Sequence, residues 1–168
     1  MEERPAEAGT PWLQQKYIHC DKGGRVWLLH DCIAEKAALE GNVLTFFFPE
    51  GIWVPESHKA NAAGKAVRTD AAKACYHLAD DGETAVYVFK EKKNGKTVRK
   101  EWPLSKLLDK LNSGELRLEF LCEYRDWHRR LIECWLWDEA HSWRACEIRF
   151  TAEPLYYCWN RIREDAAV

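Results

Sequence analysis

Cysteine recurs every twelve residues near the end of the chain, at Cys122, Cys134, Cys146 and Cys158. That interval equals one strand plus one short turn, so it predicts an antiparallel meander of four strands. With turns centred near His128, Ala140 and Ala152, the four thiols stand opposite one another in a single row. Leu118, Phe120, Tyr124, Ile132, Leu136, Ile148, Phe150 and Tyr156 then share their side of the sheet. This side is overwhelmingly apolar and reads as a core face.

The same geometry argues against a zinc centre. Adjacent strands lie about 4.8 Å apart, so the row spans roughly 14 Å, whereas the thiolates of one zinc site all lie about 2.3 Å from the ion. No C-x-x-C pair occurs either. Seven cysteines, an odd number with six in strand-like apolar contexts, suit reduced thiols acting as small core residues, in a cytoplasmic protein, better than a disulfide framework. His30, Cys32, Cys75 and His77 are left as the ligands of an alternative reading, a zinc-dependent enzyme. His30-Asp31 matches the HD phosphohydrolases over two letters only, and on a strand Asp31 would point away from both neighbours.

Alternation elsewhere extends the β reading. Residues 16–31 form two runs about Lys22-Gly23-Gly24, read as a hairpin. Ile33, Ala37 and Leu39 alternate up to a turn at Gly41-Asn42, and the run Val43 to Phe48 must be covered on both faces. Residues 55–68 have no period and form the longest loop. The second half of TDAAKACYHL reads as a strand with Ala74, Tyr76 and Leu78 on one side. Asn94-Gly95 marks a hairpin with a type I′ turn, and its six cations against one acid in residues 90–100 suit an edge guarded by lysine. Leu104, Leu107, Leu108 and Leu111 fall on one helix face, with Pro103 in the first turn and Gly114 beyond the end.

The expected fold is therefore mainly β: a single-domain antiparallel β-sandwich or partly rolled sheet of roughly ten strands, with one amphipathic helix at about 103–112. The domain spans 16–163, between a flexible N-terminal segment 1–15 and a flexible tail 164–168. No run approaches the ~20 apolar residues of a membrane span, and no membrane partner is expected.

Nine tryptophans in 168 residues need a place to go. In the assumed register the outward rows are Leu121, Trp135, Ala145 and Trp159; then Glu123, Glu133, Glu147 and Tyr157; then Arg125, Leu131, Arg149 and Leu155. Trp137 faces Trp143. Three glutamates abreast repel, so Arg125 and Arg149 must bridge the row unless the register is shifted by two. Tryptophan, tyrosine and arginine dominate interface hot spots. Hence Trp135, Trp137, Trp143, Arg125, Arg149, Tyr157 and Trp159 are the candidate binding residues of a non-enzymatic intracellular protein-binding module, of the inhibitor, immunity or adaptor type. No catalytic constellation, nucleotide fingerprint or cofactor signature is present, and no cofactor is expected. The alternative is a single-stranded nucleic-acid binder using Arg129, Arg130, Lys92, Lys93 and Lys96. Net charge of −2, and eight arginines balanced by eight acids over residues 116–163, disfavour it.

Overall fold

The structure is a computed structural model, and it describes residues 11–24, 26–79 and 83–163, Pro154 by its backbone alone. Residues 1–10 of the expected N-terminal segment and the tail 164–168 lie outside the described residues. The described residues form two helices and twelve strands, ten of them in one antiparallel sheet and two in a small separate ribbon. Among them no helix is long and apolar enough to cross a membrane.

The sheet curls because of how its ends are joined. Strand β2 (Cys32–Ala34) pairs with β10 (Leu116–Asp126), whereas β3 (Lys36–Glu40) pairs with β4 (Val43–Phe48). Only Glu35 separates β2 from β3, and its N–H is held by the Phe47 carbonyl at 3.1 Å. The path β2, β10, β11 (Arg129–Asp138), β12 (Trp143–Trp159), β7 (Ala72–Leu78), β4, β3 therefore starts and finishes on adjoining residues. Such a sheet rolls round on itself and hides one face. Phe46, Phe48, Phe120, Tyr76 and Phe150 fill it through edge-to-face contacts, with Phe120 at 5.1 Å from Phe46 and 5.3 Å from Phe48.

The spine is β12. Residues 146–149 pair with both β11 and β8 (Ala85–Glu91), and residues 156–158 pair with both β7 and β1 (His19–Lys22), so its two edges are occupied along most of its length. The third expected turn, at Ala152, does not exist: the register against β7 slips between Ala152 and Leu155, and the chain runs on. Pro154 lies in that bulge, where a missing N–H costs no ladder bond. The meander thus has three strands, and the slip moves burial from Cys146, Ile148, Phe150 and Ala152 to Leu155, Tyr157 and Trp159.

Several local features follow the sequence. The β3–β4 hairpin turns at Gly41, with φ of 59°. Phe47 points out of the roll yet is covered by Trp12 at 5.6 Å, which accounts for three consecutive phenylalanines. On β7, Ala74, Tyr76 and Leu78 are buried. Helix α2 (Leu104–Asn112) follows Pro103 and buries Leu107 and Leu111. β8 and β9 (Thr97–Trp102) make the lysine hairpin, but only Gly95 has a positive φ, of 76°. A type I′ turn needs two such residues, and the bond from Gly95 N–H to the Lys92 carbonyl fits a longer turn closed by glycine instead.

Two elements correct the sequence reading. Residues 16–31 are not a hairpin, since β1 pairs with the end of β12 and residues 26–31 form no strand. The Gly23 N–H goes to the Leu155 carbonyl, so the glycines let the chain press against β12 rather than reverse. At the N-terminal side a helical turn α1 (Pro11–Gln14) sets Trp12 in a buried position, a second helix where one was expected.

Candidate functional site: an aromatic outer face above a buried ion pair

The outward face of β11 and β12 keeps the expected register over most of its length. Trp137 lies opposite Trp143, Trp135 opposite Ala145, Glu133 opposite Glu147 and Leu131 opposite Arg149. The Trp135 ring is 4.9 Å from Trp143 and 6.0 Å from Trp137, so the three indoles form one cluster. Trp137 Nε1 donates to Glu119 Oε2 at 2.7 Å, which fixes that ring, while Trp143 stays 52% exposed. Tyr87 of β8 continues the face and is flanked by the guanidinium groups of Arg99 at 4.5 Å and Arg149 at 5.1 Å. Between these groups runs a shallow groove of about 320 Å³ lined by Phe89, Leu121, Glu133, Trp135, Ala145 and Glu147.

The predicted row of three glutamates is resolved by a bulge. The β10–β11 register slips between Phe120 and Cys122, and Glu123 falls opposite Ile132 rather than Glu133. Carbonyls beside the slip are taken by one turn, with Asp31 N–H on the Phe120 carbonyl at 2.8 Å and His30 Nδ1 on that of Leu121 at 2.7 Å. Asp31 has φ of 55° there, and its carboxylate lies 3.1 Å from His30 Nε2. The two residues thus do face each other, against the strand-based expectation.

The slip carries Glu123 inside, where its side chain is only 1% exposed. Arg130 Nη1 donates to Oε1 at 2.5 Å, and Arg125 donates to Oε2 through Nε and Nη2, both at 2.7 Å. Arg130 is itself 4% exposed at its side chain, and its Nε reaches the Ala152 carbonyl at 3.1 Å. Arg125 reaches the Gly24 carbonyl at 3.3 Å. Arg125 therefore bridges inside the roll, whereas Arg149 pairs with Glu147 on the outer face at 2.7 Å, as expected for that row.

The other expected site residues divide in the same way. Tyr157 and Trp159 are buried, at 2% and 3% exposure, because the second slip turns them inward. Of the nucleic-acid set, Arg129, Lys92, Lys93 and Lys96 are exposed and Arg130 is committed to Glu123. The four zinc candidates occupy separate settings. His30 is held by Leu121, Cys32 accepts from Arg68 Nη1 at 3.0 Å, Cys75 accepts from Thr45 Oγ1 at 3.7 Å, and His77 packs on Tyr156. Among the described residues no three His, Cys, Asp or Glu side chains converge.

The cysteine row survives in part. Cys134 and Cys146 are buried directly opposite each other, but the first slip turns Cys122 to solvent. The second turns Cys158 toward β1, where it forms a disulfide with its paired residue Cys20, in place of the expected free thiol. Burial pushes the Cys146 thiol up to about 12, and it does the same at Cys32, where nearby Arg68 lowers it by less than desolvation raises it. Thiols in that state are protonated at neutral pH and make poor nucleophiles.

Two side chains outside the expected set, Asn61 and His58, hold the loop 55–68. Its ends are closed by the ribbon β5 (Trp53–Val54) and β6 (Val67–Arg68), and Asn61 Nδ2 donates to the carbonyls of Val54, Pro55 and Lys65. His58 Nδ1 accepts the Ala60 N–H at 3.1 Å, so its proton sits on Nε2 and goes to Asp21 Oδ2 at 3.0 Å. With both nitrogens engaged, His58 fastens the loop to β1. Compared with family models, curated proteins and solved structures, the chain matches none.

Proposed function

We propose that the protein is a non-enzymatic protein-binding module, of the small inhibitor, immunity or adaptor type, and that its docking face is the outer side of β8, β11 and β12. The observation that carries this reading is the indole cluster Trp135, Trp137 and Trp143, which lies on the outside of the roll with Trp143 half exposed. Arg149, Arg99 and the glutamates Glu119, Glu133 and Glu147 surround it with charges of both signs. An aromatic centre inside a polar rim is the usual anatomy of a recognition surface. Tyr157 and Trp159 are not part of the proposed face, and Arg125 acts beneath it. An intracellular setting belongs to the proposal and rests on the five free thiols; the Cys20–Cys158 bond weighs against it.

Alanine at Trp143 or Arg149 should reduce partner capture, measured by affinity purification from the native host and mass spectrometry, by about thirtyfold or more at a hot spot. Thermal unfolding of the same variants should stay within a few degrees of the wild type. Undiminished capture by alanine variants at Trp135, Trp137, Trp143 and Arg149, or unfolding of all four, contradicts the reading.

A further inference from the structure

We propose that the open edge of β9 is a strand-addition site for an extended, acidic segment of a partner protein. The inference rests on the protein-binding reading above, but it uses residues outside the tryptophan cluster. Among the described residues β9 pairs with β8 alone, and Thr97, Val98, Arg99, Lys100 and Glu101 are all exposed. Alternate residues of an antiparallel edge strand turn their N–H and C=O groups away from the neighbouring strand, so β9 presents a row of donors and acceptors to an incoming backbone. The edge of β3 differs: the Asn112 side chain of α2 takes the Ala37 N–H at 3.1 Å and the Ala37 carbonyl at 2.8 Å. The β3 edge is thus closed by α2, while that of β9 is left open.

Charge selects the occupant. Residues 90–100 hold six cations and one acid, and Lys92, Lys93, Lys96 and Lys100 form no ion pair among the described residues. A second copy of this chain would bring the same lysines edge to edge, and like charges opposed across a ladder are destabilising. An acidic strand meets them with the opposite sign. Its acids would face Arg99 on the outer side and Lys100 on the other, with Val98, 38% exposed, seating one apolar side chain. Exposed ion pairs are individually weak and weaken further with salt, so the charges choose the partner while backbone pairing sets its register.

The probe is a short end-blocked peptide rich in glutamate with intervening valines, added to the full chain at low and at physiological salt. Hydrogen exchange should slow at the β9 amides, more at low salt. Binding should fall about tenfold in the double variant Lys96→Glu and Lys100→Glu and vanish when alternate peptide amides are N-methylated. Trp143→Ala should bind the peptide as the wild type does. The proposal is overturned if no β9 amide slows, if slowing lies elsewhere, or if the N-methylated peptide or a lysine-valine counterpart binds equally well. Loss of partner capture in the Trp143 variant speaks only to the outer face, so the two readings fail by different measurements.

Discussion

Replacing Glu123 by glutamine should lower the free energy of unfolding by about 3–5 kcal/mol, because it leaves two guanidinium groups without their shared counter-charge. Arg130 cannot escape: its side chain is 4% exposed and its Nε is tied to the Ala152 carbonyl. Arg125 is 32% exposed and can turn part of its charge to water, which keeps the cost toward the lower end of that range. Urea unfolding of Glu123→Gln, Arg130→Met and the double variant Glu123→Leu with Arg130→Met tests this. A buried pair replaced by apolar groups of similar volume often recovers the loss, so the double variant should be more stable than Glu123→Gln. A loss below about 1 kcal/mol for Glu123→Gln would mean that the carboxylate is hydrated.

The second large effect is expected at Gly51, in the turn between β4 and β5. Its φ is 79°, and a Cβ built there would stand 2.1 Å from the Thr69 carbonyl oxygen and 2.6 Å from that of Asp70. Both obstacles are backbone, and Thr69 is fully buried, with its N–H on the Ile52 carbonyl and its hydroxyl accepting the Ile52 N–H. Nothing can move aside without breaking the join between the ribbon and the main sheet. Gly51→Ala should therefore cost on the order of 3 kcal/mol or more, read as a fall in melting temperature or a loss of soluble protein. Gly41→Ala is the control, since Gly41 has φ of 59° with open space round it and should cost only about 1 kcal/mol. Equal effects at the two positions would show that the dihedral alone matters and that the close approach at Thr69 does not.

What could be read from the letters was whatever local chemistry encodes. Gly41 and Asn94-Gly95 mark reversals because few residues accept positive φ, and the leucines of α2 reveal their face by spacing alone. The partners of β11 and β12 followed from alternation, which is why Trp137 and Trp143 were placed opposite each other correctly. A bulge leaves no such mark. It adds one residue without changing composition, yet it reverses the phase of everything after it. Two of them moved Cys122 and Glu123 across β10, and Tyr157 and Trp159 across β12. Pro154 was visible but ambiguous, since proline suits a turn and a bulge alike. The pairing of β2 with β10, that of β1 with β12 and the Cys20–Cys158 bond join residues far apart in sequence, and no spacing encodes them.

The placement of both faces turns on those two changes of phase, and native alkylation examines both at once. Unreduced protein treated with iodoacetamide at neutral pH and mapped by mass spectrometry should label Cys122 fastest, leave Cys32, Cys134 and Cys146 unmodified, and yield Cys20 and Cys158 in one linked peptide. Protection of Cys122 alongside Cys134, or alkylation of Cys20 and Cys158, would contradict the arrangement that puts the tryptophans outside and Glu123 within.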